Sequence, residues 1–402
     1  MRKSGYYISA FAMDAALGVC LFAVPLFAKN ALGADPLQIG IVSMNGVLGY
    51  ILACVFCGTI SERAGRRPMM LAGVVLFSAT YLLISISQSL WQLYVLMVFS
   101  GVSMGMFWPV LEAGIADDTP RQDLGRRIGF FNIAWSAGIA AGTGVGGPIY
   151  DYGKLTALGH RLPICVVVAV CPFLFLLVFA TIPSRRLPAA DTAPSTNKPE
   201  APPSTAAISV YRVMAWISNF SAWSVLSIMR YLFAPDVESR LEFSGKLAGC
   251  LVGSASAAQI IMFLLLMFTT FWHYNFGFFL LGHAALAGGA AIICFSKGPA
   301  VLLGGFCLIG LGAGVTYCSS IYYSLEGSAH RGSHAGVHET ILGIGILFGP
   351  LIGGWLVRRT GDPRAAYLLG TGIVLTAVII QTVIRRRYLT LRPSAEPTGN
   401  VL

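Results

Sequence analysis

Six ionisable side chains lie inside long apolar stretches of this 402-residue chain, namely Asp14, Glu112, Arg230, His283, His338 and Glu339. A charge in apolar surroundings is costly, so such groups usually serve a function. Burial favours the protonated form of a carboxyl group, which can then take up and release a proton near neutral pH. Asp14 is therefore the first candidate for carrying a proton, followed by Glu339 and Glu112. A helix cap or an interhelical hydrogen bond is the alternative role for each acid.

The composition requires a surface that meets lipid. Hydrophobic residues make up 56% of the chain, charged residues only 11%, and the mean hydropathy is +0.73. Soluble domains carry about 25% charged residues, so this chain could not cover a water-facing surface. The same figures exclude disordered, collagen-like and secreted disulfide-rich proteins. The net charge of +10 comes from short basic runs between apolar stretches, which is typical of membrane proteins, and no nucleic-acid partner is expected.

The apolar stretches are long enough for helices that cross a bilayer, whose core needs about 20 helical residues. The loops on one side contain 17 Lys and Arg residues and those on the other side 9, so the positive-inside rule places both termini in the cytoplasm. We therefore predict a multi-pass protein of the cell (inner) membrane, in contact with the lipid bilayer. The twelve predicted spans are residues 6–28, 37–58, 68–88, 91–115, 128–149, 162–181, 208–233, 245–269, 276–295, 299–324, 336–357 and 365–384.

A proline-rich stretch divides the chain into two similar halves. Glycines of the fifth span recur in the eleventh with a constant shift of 207 residues, as Gly142 and Gly349 do. Each half has an even number of spans, so the halves share one orientation, as in transporters whose site lies between two repeats. The predicted fold class is an all-α integral membrane protein with twelve transmembrane helices in two pseudo-symmetric six-helix bundles. The predicted parts are an N-terminal bundle at 1–181, a cytoplasmic linker at 182–207, a C-terminal bundle at 208–384 and a cytoplasmic tail at 385–402.

Aromatic and polar side chains recur at spacings of three, four and seven residues in several spans, which places them on one helix face. We expect such faces to form the walls of a central cavity, whereas core packing or an interfacial belt is the alternative for the aromatic members. Arg230 would bind an anionic substrate group there, or else extend towards the membrane surface. The predicted cavity residues are Asp14, Trp108, Glu112, Asn132, Trp135, Trp216, Asn219, Trp223, Arg230, Tyr317 and Glu339.

Two segments carry a family resemblance. The loop after the second span reads Gly58-Thr-Ile-Ser-Glu62-Arg63-Ala-Gly65-Arg66-Arg67. It resembles the signature loop of the major facilitator superfamily, G-x-x-x-D-[RK]-x-G-[RK]-[RK], although Glu62 stands where the family usually has Asp. The eleventh span contains Gly345-Ile-Leu-Phe-Gly349-Pro350-Leu-Ile-Gly353-Gly354, which is similar to the family's antiporter-associated motif G-x-x-x-G-P-x-x-G-G, normally found in span five. The resemblance covers the whole chain and implies two domains and alternating access.

The resemblance also implies a conformational latch on the cytoplasmic side. Arg66 would pair with an aspartate after span four, and Glu62 would face the N-terminal end of span eleven, where the helix dipole favours a carboxylate. Such a latch would close the cytoplasmic side in one state and break in the other. An ordinary basic loop that obeys the positive-inside rule is the alternative. The predicted latch comprises Gly58, Glu62, Arg63, Gly65, Arg66, Arg67, Asp117 and Asp118.

Small residues of spans five and eleven recur every four positions, which lets helices approach closely. Static packing is one role for them; the further prediction is that they form smooth interfaces on which the halves rock between two states. These predicted gating residues are Gly142, Gly146, Gly147, Gly345, Gly349, Pro350, Gly353 and Gly354.

The predicted function is proton-coupled efflux of an apolar or amphiphilic small molecule by a monomeric secondary transporter. His330, His334 and His338 recur every four residues, but two glycines interrupt them, so no metal or other cofactor is expected. The sequence contains no recognisable catalytic set, and an enzyme is not expected. One alternative is a proton symporter that imports a sugar or an organic anion. A second, of another class, is a non-transporting receptor or membrane-embedded enzyme on the same fold.

Overall fold

Long α-helices account for almost all of the computed structural model, which describes residues 4–117, 124–183, 205–326 and 331–390. A short 3₁₀ turn (Gly159–Arg161) precedes α6, and a π-helical segment (Met229–Phe233) joins α7 to α8. The α-helices are α1 (Ser4–Leu32), α2 (Pro36–Ala64), α3 (Arg66–Ile86), α4 (Leu90–Asp117), α5 (Leu124–Gly153), α6 (Leu162–Thr181), α7 (Thr205–Ile228), α8 (Ala234–Arg240), α9 (Gly245–Met267), α10 (Phe276–Phe295), α11 (Pro299–Leu325), α12 (Arg331–Thr360) and α13 (Arg364–Thr390).

Within the described residues, eleven helices are long and apolar enough to cross a membrane, so this is a multi-pass membrane protein. The remaining long helix, α7, occupies the predicted seventh span but carries a run of fully buried polar side chains, which lowers its hydropathy. It also continues beyond the predicted end at residue 233, because the π-helical segment and α8 extend the same helix to Arg240. The buried polar residues of α7 are Ser218, Asn219, Ser221, Ser224 and Ser227.

The helices pack as two bundles, which confirms the predicted all-α, two-bundle fold class. In the N-terminal half α1 packs on α5 and α6, while α4 packs on α2 and α3. In the C-terminal half α7 packs on α11, α12 and α13, while α11 also contacts α9 and α10. The halves meet chiefly along two helix pairs, α5 with α9 and α2 with α12. Residues 184–204, most of the predicted linker, lie outside the described residues, as do residues 391–402 of the predicted tail.

One group of the predicted gating glycines packs within its own bundle. A methyl group added to Gly142 would collide with the carbonyl oxygen of Ala15 on α1, and one added to Gly349 would lie 2.5 Å from the carbonyl oxygen of Ser224 on α7. Gly146, Gly345 and Gly353 likewise face neighbours of their own half. These contacts fasten α5 to α1 and α12 to α7 by close backbone approach.

A second group lies where the two bundles meet. A methyl group on Gly147 would collide with the carbonyl oxygen of Gly245 on α9, and one on Gly354 would collide with that of Pro36 on α2. The carbonyl oxygen of Pro350 lies 2.5 Å from where a methyl group on Gly40 would be. Gly147, Pro350 and Gly354 are therefore placed at the inter-bundle contacts; a role for them in rocking stays a prediction.

The within-bundle contact can be tested with a matched pair of substitutions on α5. Gly142→Ala should lower the melting temperature in detergent, because overpacking against Ala15 costs about 1–3 kcal/mol. Gly144→Ala is the control: its added methyl group would meet nothing within 4 Å, so the melting temperature should stay the same or rise. Equal melting temperatures of the two variants would contradict close packing of α1 on α5.

Candidate functional site

A cavity of about 220 Å³ lies between the two bundles. Residues of both halves line it, from α1 to α5 on one side and from α7, its π-helical segment, α11 and α12 on the other. Eight of the eleven predicted cavity residues are among them, namely Asp14, Trp108, Glu112, Trp135, Trp223, Arg230, Tyr317 and Glu339. The structure thus brings these side chains together; that they bind substrate remains a prediction.

Three predicted cavity residues point elsewhere. Asn132 accepts a hydrogen bond from the indole Nε1 of Trp135 at 3.2 Å, within α5. Trp216 donates its indole N–H to Ser324 Oγ at 2.9 Å, within the C-terminal bundle. Asn219 is fully buried beside His338, with 3.5 Å between Asn219 Nδ2 and His338 Nδ1. Helical periodicity placed them on the right helices, but the polar contact of each side chain lies inside its own bundle, and Asn219 Oδ1 has no hydrogen-bond partner.

Arg230 lies in the π-helical segment, an irregularity often found at functional sites. Its guanidinium carbon lies 5.3 Å from the centre of the Trp223 ring, within the range of a cation–π interaction. Its Nη2 atom is buried and has no hydrogen-bond partner. The charge of Asp14, across the cavity on α1, acts on Arg230, but within the described chain the two groups form no direct ion pair. Arg230 thus keeps an unused donor in the cavity.

Two acids from opposite bundles, Glu112 of α4 and Glu339 of α12, line the same cavity. The Tyr50 hydroxyl donates to Glu339 Oε2 at 3.5 Å, and His338 Nε2 lies 3.6 Å from Glu339 Oε1. His338 is completely buried, and its Nδ1 is 2.7 Å from Ser320 Oγ. Two carboxylates that face one cavity from opposite bundles form an acceptor-rich end of it.

Aromatic rings from both bundles form the wall between these charged groups. Trp135 of α5 lies 6.2 Å from Trp223 of α7 and 5.7 Å from Tyr317 of α11, measured between ring centres. Trp223 and Tyr317 are also 6.2 Å apart. Sequence analysis missed Tyr50 and Phe131 as further lining residues. The spacing of Gly46 and Tyr50 on α2 was the available signal, because both share one helix face.

At the end of the molecule where α1 ends and α2 begins, one carboxylate joins the two bundles. Glu238 of α8 accepts hydrogen bonds from Asn30 Nδ2 at 2.7 Å, the Tyr150 hydroxyl at 2.9 Å and Lys154 Nζ at 2.8 Å. Lys29 Nζ donates to the Pro235 carbonyl oxygen at 2.6 Å. All the donors belong to the N-terminal bundle. We call this set the Glu238 cluster; sequence analysis did not find it.

Two further polar contacts join the bundles at the same end. Both carboxylate oxygens of Asp151 accept backbone N–H groups at the start of α9, from Gly245 and Lys246, each at 2.8 Å. Arg358 Nη1 lies 3.5 Å from Asp35 Oδ2. A carboxylate at a helix N-terminus satisfies N–H groups that have no partner within the helix.

The predicted latch loop connects α2 to α3. Gly65 has a φ of +100°, a backbone conformation that favours glycine, and this lets one helix end and the next begin. The Arg66 side chain donates to Ser61 Oγ, and the Arg67 guanidinium lies 3.9 Å from the centre of the Phe179 ring. Glu62 and Arg63 are exposed. The surroundings of Gly58, the side chain of Asp117 and the whole of Asp118 lie outside what the structure describes, so the predicted pairing of Arg66 with an aspartate stays a prediction.

Solved transporter structures share this architecture. A bacterial homolog of the human lysosomal transporter Spinster, in an inward-facing and unoccupied conformation, has a TM-score of 0.72 at 14% identity and covers 98% of this chain and 99% of its own. The nucleoside transporter NupG has a TM-score of 0.73 at 12% identity and covers 96% of this chain and 99% of its own. At such identities the likeness concerns the fold.

Sequence comparisons point the same way. The quinolone resistance protein NorA of Staphylococcus aureus is 24% identical over 157 residues, which span 39% of this chain and only 39% of that protein. An uncharacterized MFS-type transporter of Mycobacterium tuberculosis is 25% identical over 361 residues, covering 84% of this chain and 82% of that protein. The family model of the Major Facilitator Superfamily matches residues 6–341. This chain therefore belongs to the Major Facilitator Superfamily.

Proposed function

We propose that the protein is a secondary active transporter that moves a small organic molecule across the membrane by alternating access. The observation that carries this proposal is the cavity between the two bundles, lined from both sides and bordered at one end by polar contacts that join the bundles. A two-bundle protein can expose such a cavity alternately to either side by rocking. The like-folded Spinster homolog and NupG, both transporters by their names, support it.

The conformation is proposed to be inward-facing. The excess of Lys and Arg at the ends opposite the Glu238 cluster supports an outer position for that cluster and a cytoplasmic position for both termini. The cluster then closes the outer side. We further propose that the protein lies in the cell (inner) membrane and is a monomer. Its two halves, at 1–181 and 208–384, then move as two rigid bodies. Exposed apolar side chains such as Leu52, Phe56 and Phe173 would face the lipid bilayer.

Proton-coupled efflux of an apolar or amphiphilic compound is the proposed activity. The cavity wall is largely apolar and aromatic, which suits such a compound. Asp14 is nearly fully buried and lines the cavity, so it can exchange a proton with either side as the bundles rock. The relative NorA is named for quinolone resistance, which supports export.

Import of an organic anion with a proton is the second candidate. The observation in its favour is the buried Nη2 atom of Arg230, which has no hydrogen-bond partner and could pair with a carboxylate or phosphate. The two candidates differ in the gradient that drives accumulation. In vesicles, an exchanger concentrates its substrate when the lumen is acidic, whereas a symporter does so when the exterior is acidic.

Asp14→Asn should abolish gradient-driven transport while leaving the protein folded. The amide cannot take up and release a proton, although its size and polarity are close to those of the acid. Accumulation of ethidium would be measured in vesicles that contain purified protein and have an acidic lumen. Asp362→Asn makes the same change at an exposed site and is the control. Accumulation by Asp14→Asn at the wild-type level would remove Asp14 from the coupling step.

Glu238→Gln should open the outer side, because the neutral amide loses its attraction for Lys29 and Lys154. The distance between spin labels at positions 155 and 362 would be measured in a background whose nine native cysteines are replaced. We expect a longer mean distance than in the parent protein, and no change for the exposed control Glu242→Gln. Identical distances in all three proteins would show that the cluster does not hold the bundles together.

The same cluster should tolerate mild acid. Burial raises the pKa of Glu238, but hydrogen bonds from Lys154, Asn30 and Tyr150 outweigh it and hold the pKa below its ordinary value. The stabilising effect is therefore present above the ordinary value of about 4.3 and is lost as the pH falls through the lowered value. The label distance in the parent protein should stay constant from neutral to mildly acidic pH; a change in that range would contradict the assignment.

The proposed latch predicts that Arg66→Ala separates the bundles at the cytoplasmic end. Loss of the guanidinium removes the proposed partner of Asp117 or Asp118, so the open state gains population. Spin labels at positions 60 and 386 would report a longer mean distance at that end. Arg126→Ala removes an exposed arginine from the same end and is the control. If both variants match the parent protein, the loop is an ordinary basic turn.

A further inference from the structure

The charged side chains of the cavity fall into two poles of opposite sign. The arginine pole is Arg230, whose guanidinium lies over Trp223. The acid pole is the pair Glu112 and Glu339, one carboxylate from each bundle. His338 belongs to the acid pole, because its buried Nε2 atom faces Glu339 at 3.6 Å and has no hydrogen-bond partner.

The separation of the poles follows from helix register. Trp223 packs beside Gly345 of α12, where an added methyl group would lie 3.2 Å from the Trp223 Cβ. Glu339 comes six residues earlier on the same helix, and at 1.5 Å per residue this is about 9 Å along the axis. Contacts of α2 agree: Ser43 Oγ donates to the Ile346 carbonyl oxygen at 3.3 Å, and Tyr50, seven residues further on, reaches Glu339. The backbone positions of Trp223, whose ring contacts the Arg230 guanidinium, and of Glu339 are therefore roughly 9 Å apart along the helix axis.

Each pole keeps a buried polar atom without a hydrogen-bond partner, Nη2 of Arg230 and Nε2 of His338. Arginine is always protonated, and its Nη2 remains without a hydrogen bond although the charge of Asp14 acts on it from across the cavity. At the other pole, Glu112 and Glu339 line the cavity together, and the partnerless His338 Nε2 lies 3.6 Å from Glu339 Oε1. An unpaired charge in a mostly apolar cavity is costly, and a ligand group of opposite sign removes this cost. A ligand with only one charge would leave one pole unpaired.

Aromatic rings line the cavity from one pole to the other, since Trp223 contacts Arg230 and Tyr317 lies 5.1 Å from the His338 ring. Trp135, Trp223 and Tyr317 have ring centres 5.7–6.2 Å apart, and they come from both bundles. Edge-to-face and tilted rings at this spacing also suit a further aromatic ring. The body of a ligand that reaches both poles is therefore expected to be aromatic and flat.

We propose that the substrate is an aromatic zwitterion whose anionic and cationic groups are about 9 Å apart, with the anion at Arg230 and the cation at Glu112 and Glu339. This rests on the proposed transport function and specifies the substrate class of the same cavity. A carboxylate pairs with the planar guanidinium through parallel N–H donors, and an ammonium donates to the shared acid pair. Such a ligand also bridges the bundles, because Glu112 belongs to one and Arg230 and Glu339 to the other.

The test compares three probes that share one flat skeleton: 6-(aminomethyl)naphthalene-2-carboxylic acid, its methyl ester and its N-acetyl derivative. The first is a zwitterion, the second only a cation and the third only an anion. Binding to the purified full-length protein would be measured by isothermal titration calorimetry, without any gradient. We expect the zwitterion to bind at least about tenfold more tightly than either derivative, since each lost pairing is expected to cost at least about that factor.

Variants assign each end of the probe. Arg230→Gln should remove the preference for the zwitterion over the ester, while the affinity for the ester itself stays unchanged. Glu112→Gln combined with Glu339→Gln should remove the preference over the N-acetyl derivative. Arg364→Gln, an exposed arginine, is the control and should keep both preferences.

The proposal is overturned if the three probes bind equally, if a singly charged probe binds more tightly, or if the zwitterion does not bind at all. It is also overturned if Arg230→Gln weakens all three probes alike, because the arginine would then support the shape of the cavity only. These outcomes leave the proposed transport function intact, since ethidium accumulation tests that separately. Conversely, if neither ethidium nor the zwitterion accumulates under a gradient while the zwitterion preference is intact, transport is refuted and the binding site is kept.

Discussion

Close backbone contact at glycine is the interaction on which this architecture depends. In lipid, apolar side chains gain nothing by leaving their surroundings, so helices associate through shape and short contacts. Gly142 and Gly349 fasten α5 to α1 and α12 to α7, while Gly147 and Gly354 bring α5 against α9 and α12 against α2. Because two inter-bundle helix pairs carry most of the contact, the helices between them are held apart. The cavity is the space that this arrangement leaves open.

The two halves repeat this backbone plan but differ in charge. Asp14 corresponds to Asn219 in the repeat, and Glu339 corresponds to Asn132. Both acids line the cavity, whereas both amides lie outside it and meet partners within their own bundles. An amide can satisfy donors and acceptors inside a bundle at little cost, but a carboxylate needs a proton, a cation or water. The repeat thus places acids and amides at equivalent points, and their chemistry accounts for which of them line the cavity.

The sequence predicts the fold well, because hydropathy and the positions of turns are local properties. It placed Trp108, Trp135, Trp223 and Tyr317 on faces that do meet in the cavity. It failed for Trp216, since helical periodicity cannot tell an inter-bundle face from one that meets another helix of the same bundle. It also missed Glu238, which follows the seventh span. The hydrogen-bond partners of Glu238 lie 84 to 208 residues away in the chain, so no local pattern indicates its role. The π-helical segment that presents Arg230 has no recognisable sequence pattern.

The two kinds of inter-bundle contact suit different parts of a transport cycle. The glycine contacts are close-packed and independent of charge, so they can persist as a surface along which helices shift. The Glu238 cluster is polar and partly exposed, with three hydrogen bonds to one carboxylate. Hydrogen bonds to a charged group contribute about 1.5–3 kcal/mol each when well buried, and exposed ion pairs only about 0–1 kcal/mol. Reversing a two-state population from 1:99 to 99:1 takes about 5.5 kcal/mol. The free energy contributed by a partly exposed cluster of this size is therefore small enough for one bound ligand to overcome, if that ligand pairs charges of both bundles.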